Sequence, residues 1–212
     1  MEESTSKEKI LKKIRRALPN PELNRMSREV NREAPIFHEH NEGLPVLFAE
    51  KLKENSGDFI FCDTIDQAIR NLSTLLDHLN PESIYLNDPG LKQKTDSLSF
   101  EFQSELSLDK RFDVAITPCD YLIARHGSAI ITGNEKSIFE STLVKTHIIL
   151  AYKQQLVEST KEALRDIKNR FNVQLPPYIS MISGPSRTAD IGGELVLGAQ
   201  GPEALYVLFI YE

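Results

Sequence analysis

Between Ser183 and Pro202 the chain reads SGPSRTADIGGELVLGAQGP, and five of its ten glycines fall between Gly184 and Gly201. Glycine is the residue most costly to order, so such a cluster needs a local reason. Arg187 carries a planar guanidinium suited to gripping a carboxylate or phosphate, and Ser186 and Thr188 add hydroxyl donors beside it. The preceding PYISMIS reads as a strand and the following ADIGGELVLG as the start of a helix. A strand, a tight turn and a helix N-terminus together present free N–H groups and a positive dipole end to an anion. The expectation is a receptor for a small acid built from Gly184, Ser186, Arg187 and Thr188. Asp190 stands near the expected helix start, either as a cap or toward the ligand. Gly192 and Gly193 permit close approach by a ligand or by another backbone, Gly198 fits a helix C-terminus, and Gly201-Pro202 makes a turn before the final strand. Neither the Walker nor the dinucleotide glycine pattern occurs.

A second group of reactive side chains lies in CDYLIARHGSAIITGNEKSIF. Its two short β-type runs, YLIA and SAIIT, are separated by Arg125, His126 and Gly127, the pattern of a hairpin with a polar turn. His126 titrates near neutrality and is the acid/base candidate, with Gly127 and Ser128 beside it; a surface or hydrogen-bonding role is the alternative. His38, Glu39 and His40 sit close in sequence, but on a segment that reads as loop, and no metal site is expected. Cys62 and Cys119 lie in unrelated settings without a CxxC spacing, so no disulfide framework or cysteine-bound cluster is expected and both read as small buried hydrophobes.

The elements around these groups alternate in type. DFIFC from Asp58, SIYLND, RFDVAIT, HIILAY, PYISMIS and ALYVLFIY are strand candidates, with a short helical or irregular segment after Pro89. Thr64-x-x-Gln67 opens a helix whose Ala68, Ile69, Leu72, Leu75, Leu76 and Leu79 share a face. QQLVESTKEALRDIKNRF reads as another, with Leu156, Ala163, Leu164, Ile167 and Phe171 on one side. Strands alternating with helices predict an α/β fold: a mostly parallel sheet flanked by helices, with the hairpin inserted. Near the N-terminus, Thr5-x-x-Glu8 precedes an amphipathic stretch bearing Ile10, Leu11, Ile14, Ala17 and Leu18, and a polar, proline-bearing arm follows. The division expected is 1–45 for helix and arm and 46–212 for the α/β domain.

The chain's net charge of −6 is uneven. Residues 1–33 hold nine Lys/Arg against six Asp/Glu, whereas the remainder holds 16 against 25. An acidic body argues against nonspecific nucleic-acid binding, while the basic arm suits an acidic partner. No apolar run approaches the roughly 20 residues of a membrane span, and the charged N-terminus does not read as a secretory signal, so a cytoplasmic location is expected.

GPSRTADI followed by LVLGAQGP, DYLIARHGSAIIT, and the opening KEKILKKIRRAL together resemble the lactate-utilization branch of the LUD domain family. That resemblance implies an α/β core similar to the sugar-phosphate isomerase and CoA-transferase-like group. It also implies membership of a three-protein system oxidising L-lactate to pyruvate, with iron–sulfur clusters on the partner proteins; the two isolated cysteines and the missing dinucleotide pattern lead us to expect no cofactor in this chain. The resemblance names no catalytic residues. Against it stand two further readings: a free-standing enzyme acting on a small phosphorylated or carboxylated metabolite, and a non-catalytic interaction module.

Overall fold

The computed structural model describes residues 43–105, 111–134, 142–172, 174–190, 194–197 and 201–212, with 188–190 and 194–197 described by backbone alone. The predicted N-terminal helix and most of the arm lie outside these residues. The first described element is a helix, α1 (Leu44–Glu54), which starts where the sequence reading places the end of the arm. Pro45 in its first turn supplies a φ already suited to a helix, and Leu47, Phe48 and Leu52 are buried.

Six strands form the main sheet: β1 (Asp58–Cys62), β2 (Ile84–Tyr85), β3 (Phe102–Gln103), β4 (Phe112–Pro118), β7 (Val144–Tyr152) and β12 (Ala204–Ile210). Their order is β1-β12-β7-β4-β2-β3 and every pairing is parallel. The last strand is thus inserted between the first and the seventh. Two helices cover one face, α2 (Ile65–Leu79) and α3 (Pro89–Thr95), where Leu72, Leu76 and Leu91 meet Val114, Ile116, Ile148 and Leu208. Thr64 Oγ1 accepts the Gln67 N–H at 3.3 Å, so the predicted start of α2 is the observed one.

The predicted hairpin is present as β5 (Tyr121–Ile123) and β6 (Ser128–Gly133), but it is more than an insertion. It forms the middle of a second sheet, β8-β5-β6-β9, with β8 (Leu156–Val157) parallel to β5 and β9 (Tyr178–Ile182) antiparallel to β6. PYISMIS is therefore a strand outside the parallel sheet. The predicted helix over residues 154–171 is shorter: α4 is Thr160–Phe171, preceded by a 3-10 turn at Lys153–Gln155 and by β8. Ser159 caps it by accepting the Glu162 N–H at 3.4 Å. Leu156 consequently belongs to a strand, and Leu164 is 42% exposed, leaving Ala163 and Ile167 as the buried stripe.

The layers follow from these faces. Leu122, Ala124 and Ala129 of the second sheet pack with α1 against Ile149, Ala151, Val207 and Phe209 of the first. On the opposite side, Ile123, Ile130 and Val157 meet Ala163 and Ile167 of α4. Burying a Leu or Phe side chain stabilises by about 1.5–3 kcal/mol, so these contacts hold the second sheet on the first. Among the described residues no helix is long and apolar enough to cross a membrane.

Candidate functional site

The two stretches singled out from the sequence meet at the C-terminal end of α1. Gly127, at φ +58°, lies against that helix so closely that a Cβ would sit 2.1 Å from the Leu52 nitrogen. Gly184, at φ +99°, approaches the next turn, where a Cβ would sit 2.2 Å from the Asn55 oxygen. Both positions combine a backbone conformation that favours glycine with a contact that excludes any side chain. Asn55 Nδ2 donates to the His126 carbonyl at 2.7 Å, and an Arg187 Nη2 proton goes to Ser56 Oγ. A hydrogen bond of 2.7 Å joins the Ser128 and Ser183 hydroxyls, and Ser128 Oγ also donates to the His126 carbonyl at 3.3 Å.

His126 and Arg187 therefore flank one dipeptide, Asn55-Ser56. The His126 ring is anchored at Nδ1 by Thr160 Oγ1, 3.1 Å away at the first turn of α4, and the side chain is exposed. Neighbouring Arg125 pairs with Glu158. Asn55-Ser56 directly precedes β1, and the Ser186 N–H donates to Pro202 O at 2.7 Å just before β12. The cluster accordingly stands at the amino ends of the parallel strands, the opposite edge from the one where ligands generally sit in open α/β sheets.

One expectation fails here. No helix follows the GPSRT loop: Arg187–Asp190 is strand β10 and Glu194–Leu197 is β11, antiparallel, with Arg187 opposite Leu197 and Asp190 opposite Glu194. Two four-residue runs separated by three residues with a Gly-Gly pair are themselves a hairpin signal, and strand pairing prevails over helix capping. Asp190 is thus no N-cap, and the expected helix N-terminus does not follow this loop. The Gly198 helix end falls with that helix, and Gly192, Gly193 and Gly198 lie outside the described residues. Gly201, at φ +147°, makes its turn, with a Cβ position 3.0 Å from the Ser186 Cβ. Gly184, Arg187, His126, Gly127 and Ser128 are brought to Asn55-Ser56; Ser186 is held at Pro202; Thr188 and Asp190 belong to β10.

The polarity of the cluster follows from α1. The last carbonyls of a helix carry partial negative charge, which favours cations beside them. Arg187 gains from that field, and its hydroxyl partner at Ser56 leaves the guanidinium's charge uncompensated by that contact. A planar fork with several N–H donors retains capacity for a carboxylate.

Other reactive groups are buried elsewhere. His147 on β7 is fully buried, its Nε2 2.8 Å from Thr117 Oγ1, and its Nδ1 has no hydrogen-bond partner among the described residues. Burial pushes its pKa down to about 4. Nothing in HIILAY marked this histidine, because a buried strand of that kind reads as apolar throughout. Cys62 and Cys119 are buried and their thiols raised by desolvation, Cys119 strongly. Among the described residues no group of three His, Cys, Asp or Glu is placed to hold a metal ion. His38 and His40 lie outside them.

A parallel α/β core with a second, hairpin-centred sheet packed on one of its faces defines the class, and residues 46–210 match the LUD domain family, to which the chain belongs. It is 32% identical over 161 residues to Lactate utilization protein C of Halalkalibacterium halodurans, covering 69% of each chain. With the protein of the same description from Shouchella clausii it shares 36% over 99 residues, 45% of this chain and 43% of that one. The crystal structure of a DUF162 family protein from Deinococcus radiodurans has the same fold, with a TM-score of 0.62 over 79% of this chain and 96% of that one at 16% identity.

Proposed function

We propose that this protein serves lactate utilization as a component of a system oxidising L-lactate to pyruvate, holding a small carboxylate while iron–sulfur subunits on partner chains carry the electrons. The relatives described as Lactate utilization protein C support the process. The observation that carries the ligand class is the guanidinium of Arg187 held on Ser56, next to Asn55, which holds the main-chain carbonyl of His126. A 2-hydroxy acid suits that arrangement. Its carboxylate takes two parallel N–H bonds from Arg187, and its hydroxyl lies toward the imidazole, whose Nδ1 is fixed by Thr160. The reading places the protein in the cytoplasm beside its partners.

Two measurements test it. Calorimetric titration with L-lactate gives saturable binding to the wild type and at least tenfold weaker binding to Arg187→Ala, in keeping with loss of a charge-assisted pair of about 1.5–3 kcal/mol. Deletion of the gene abolishes growth on L-lactate, and the tagged protein co-purifies with a cluster-bearing partner. Undiminished growth after deletion overturns the reading.

A further inference from the structure

The second sheet ends in an open strand. β9 pairs with β6 on one side and, among the described residues, with no strand on the other. Edge strands of native proteins usually carry a charge or another device that blocks further pairing. This one does not: residues 171–186, between Arg170 and Arg187, hold no Asp, Glu, Lys or Arg, and Pro176 and Pro177 precede the strand without interrupting it. Ile179 is 37% exposed and Met181 53%, with Leu175 just upstream also at 53%. We propose that β9 is a self-pairing edge, through which two copies of this chain join their second sheets into one.

The backbone sets the register. Ile130 O accepts the Asp120 N–H at 2.8 Å, and the Thr132 N–H donates to Asp120 Oδ2 at 2.6 Å, so both residues turn their backbone groups toward the β5 side. In an antiparallel ladder, directly opposed residues either bond to each other or both face away. Met181 lies opposite Ile130 and Ile179 opposite Thr132, so these two residues of β9 direct their N–H and C=O groups away from β6. Two outward residues flanking Ser180 make the edge complementary to itself. A second β9, turned antiparallel about a two-fold axis at Ser180, sets Ile179 of each copy against Met181 of the other, and each opposed pair exchanges both N–H···O=C bonds.

Side chains and charge favour the same occupant. Ile130 packs on α4, and opposed residues share a sheet face, so Met181 and Ile179 stand on the α4 face, beyond the part that the helix covers. The two-fold axis gathers both copies' pairs into one apolar strip. Elsewhere the body is acidic, with 16 Lys/Arg against 25 Asp/Glu outside residues 1–33, and two such bodies repel. An uncharged edge is where they approach at least cost. β1, at the edge of the main sheet, shows the contrast: pairing with itself sets Asp58 of one copy beside Asp63 of the other.

The test is sedimentation velocity of the full chain over a dilution series. The expected result is a monomer–dimer equilibrium that shifts to monomer on dilution, since a single strand is a small contact beside the roughly 800 Å² per partner of a standard interface. Met181→Lys, at an exposed position, leaves the urea midpoint unchanged and weakens association about a hundredfold by bringing like charges together. Should that variant unfold, Ser180→Cys decides. On the axis its two Cα atoms stand about 4.5 Å apart, within disulfide reach, so mild oxidation links the copies. Tyr178→Cys places its thiols roughly 13 Å apart along the strands and leaves the copies unlinked. Cys62 and Cys119 are buried and do not compete. A chain that is monomeric at every concentration, a dimer undiminished in Met181→Lys, or linking of Tyr178→Cys as readily as Ser180→Cys overturns the proposal.

Discussion

The two glycine-bearing hairpins are held on different terms. The β5–β6 hairpin has a strand on either edge and a layer on each face: Leu122, Ala124 and Ala129 toward α1, Ile123 and Ile130 toward α4. The β10–β11 hairpin is a two-stranded sheet, tied to its surroundings through the Ser186–Pro202 bond and the Arg187–Ser56 contact. A two-stranded ribbon has little stability of its own in water, so its order depends on what it touches. The first hairpin is thus part of the core, and the second is a place where a bound ligand can contribute order.

The sharpest way to break this contrast is Gly127→Ala. A methyl at φ +58° meets the backbone of α1, which cannot yield as a side chain would, so a loss above roughly 3 kcal/mol is expected, read as a lower midpoint in urea unfolding. Lowering the pH probes the same layer through His147, which shares its strand face with Ile149 and Ala151. The folded protein keeps this imidazole neutral down to about pH 4, whereas the unfolded chain takes up the proton near 6.5. The unfolded state therefore binds more protons between those values, and stability is full above 6.5 and falls as the pH drops toward 4. The loss reaches about 3 kcal/mol at 1.36 kcal/mol per pKa unit. His147→Gln flattens that part of the pH profile.

Gly184→Ala is expected to cost about 2 kcal/mol, since φ +99° is as unfavourable but the contact is with a carbonyl at a helix end, which has more room to shift. Hydrogen exchange should show the loss concentrated around Asn55 and Ser183 rather than across the main sheet. The smallest effect falls on the second hairpin's own anchor. Arg187→Lys, at an exposed position, changes unfolding stability by less than about 0.5 kcal/mol, while L-lactate binding weakens because an ammonium cannot reproduce the two-pronged grip. A large stability loss in that variant would erase the distinction between the hairpins.

The same contrast explains what was legible in the sequence. Strands such as RFDVAIT and HIILAY announce themselves by apolar content, and YLIA and SAIIT by flanking a polar turn, because these segments are buried and their composition records it. The start of α2 was equally plain from Thr64 and Gln67. Three features were harder. Pro45 reads as a linker residue when its neighbours are polar, although it is the first-turn proline of α1. Ser159-x-x-Glu162 marks the true start of α4, yet the apolar spacing of Leu156 with Ala163 draws the reading upstream. RTAD and ELVL carry both helix-cap and hairpin signals, and the choice between them is made by cross-strand pairing, which a local window does not contain. The candidate site was legible as two separate stretches; that they meet on Asn55-Ser56 depends on α1, the element that the sequence reading passed over.

The insertion of β12 between β1 and β7 has a consequence for biosynthesis. As the chain leaves the ribosome, β1 and the block of β7, β4 and β2 emerge with a strand-wide slot between them, each lacking its central neighbour. Residues 204–210 arrive after both and fill it, pairing with partners emitted 148 residues and 58 residues earlier. Closure of the sheet is therefore a late event, and until then the slot exposes two unpaired edges that a chaperone has reason to cover.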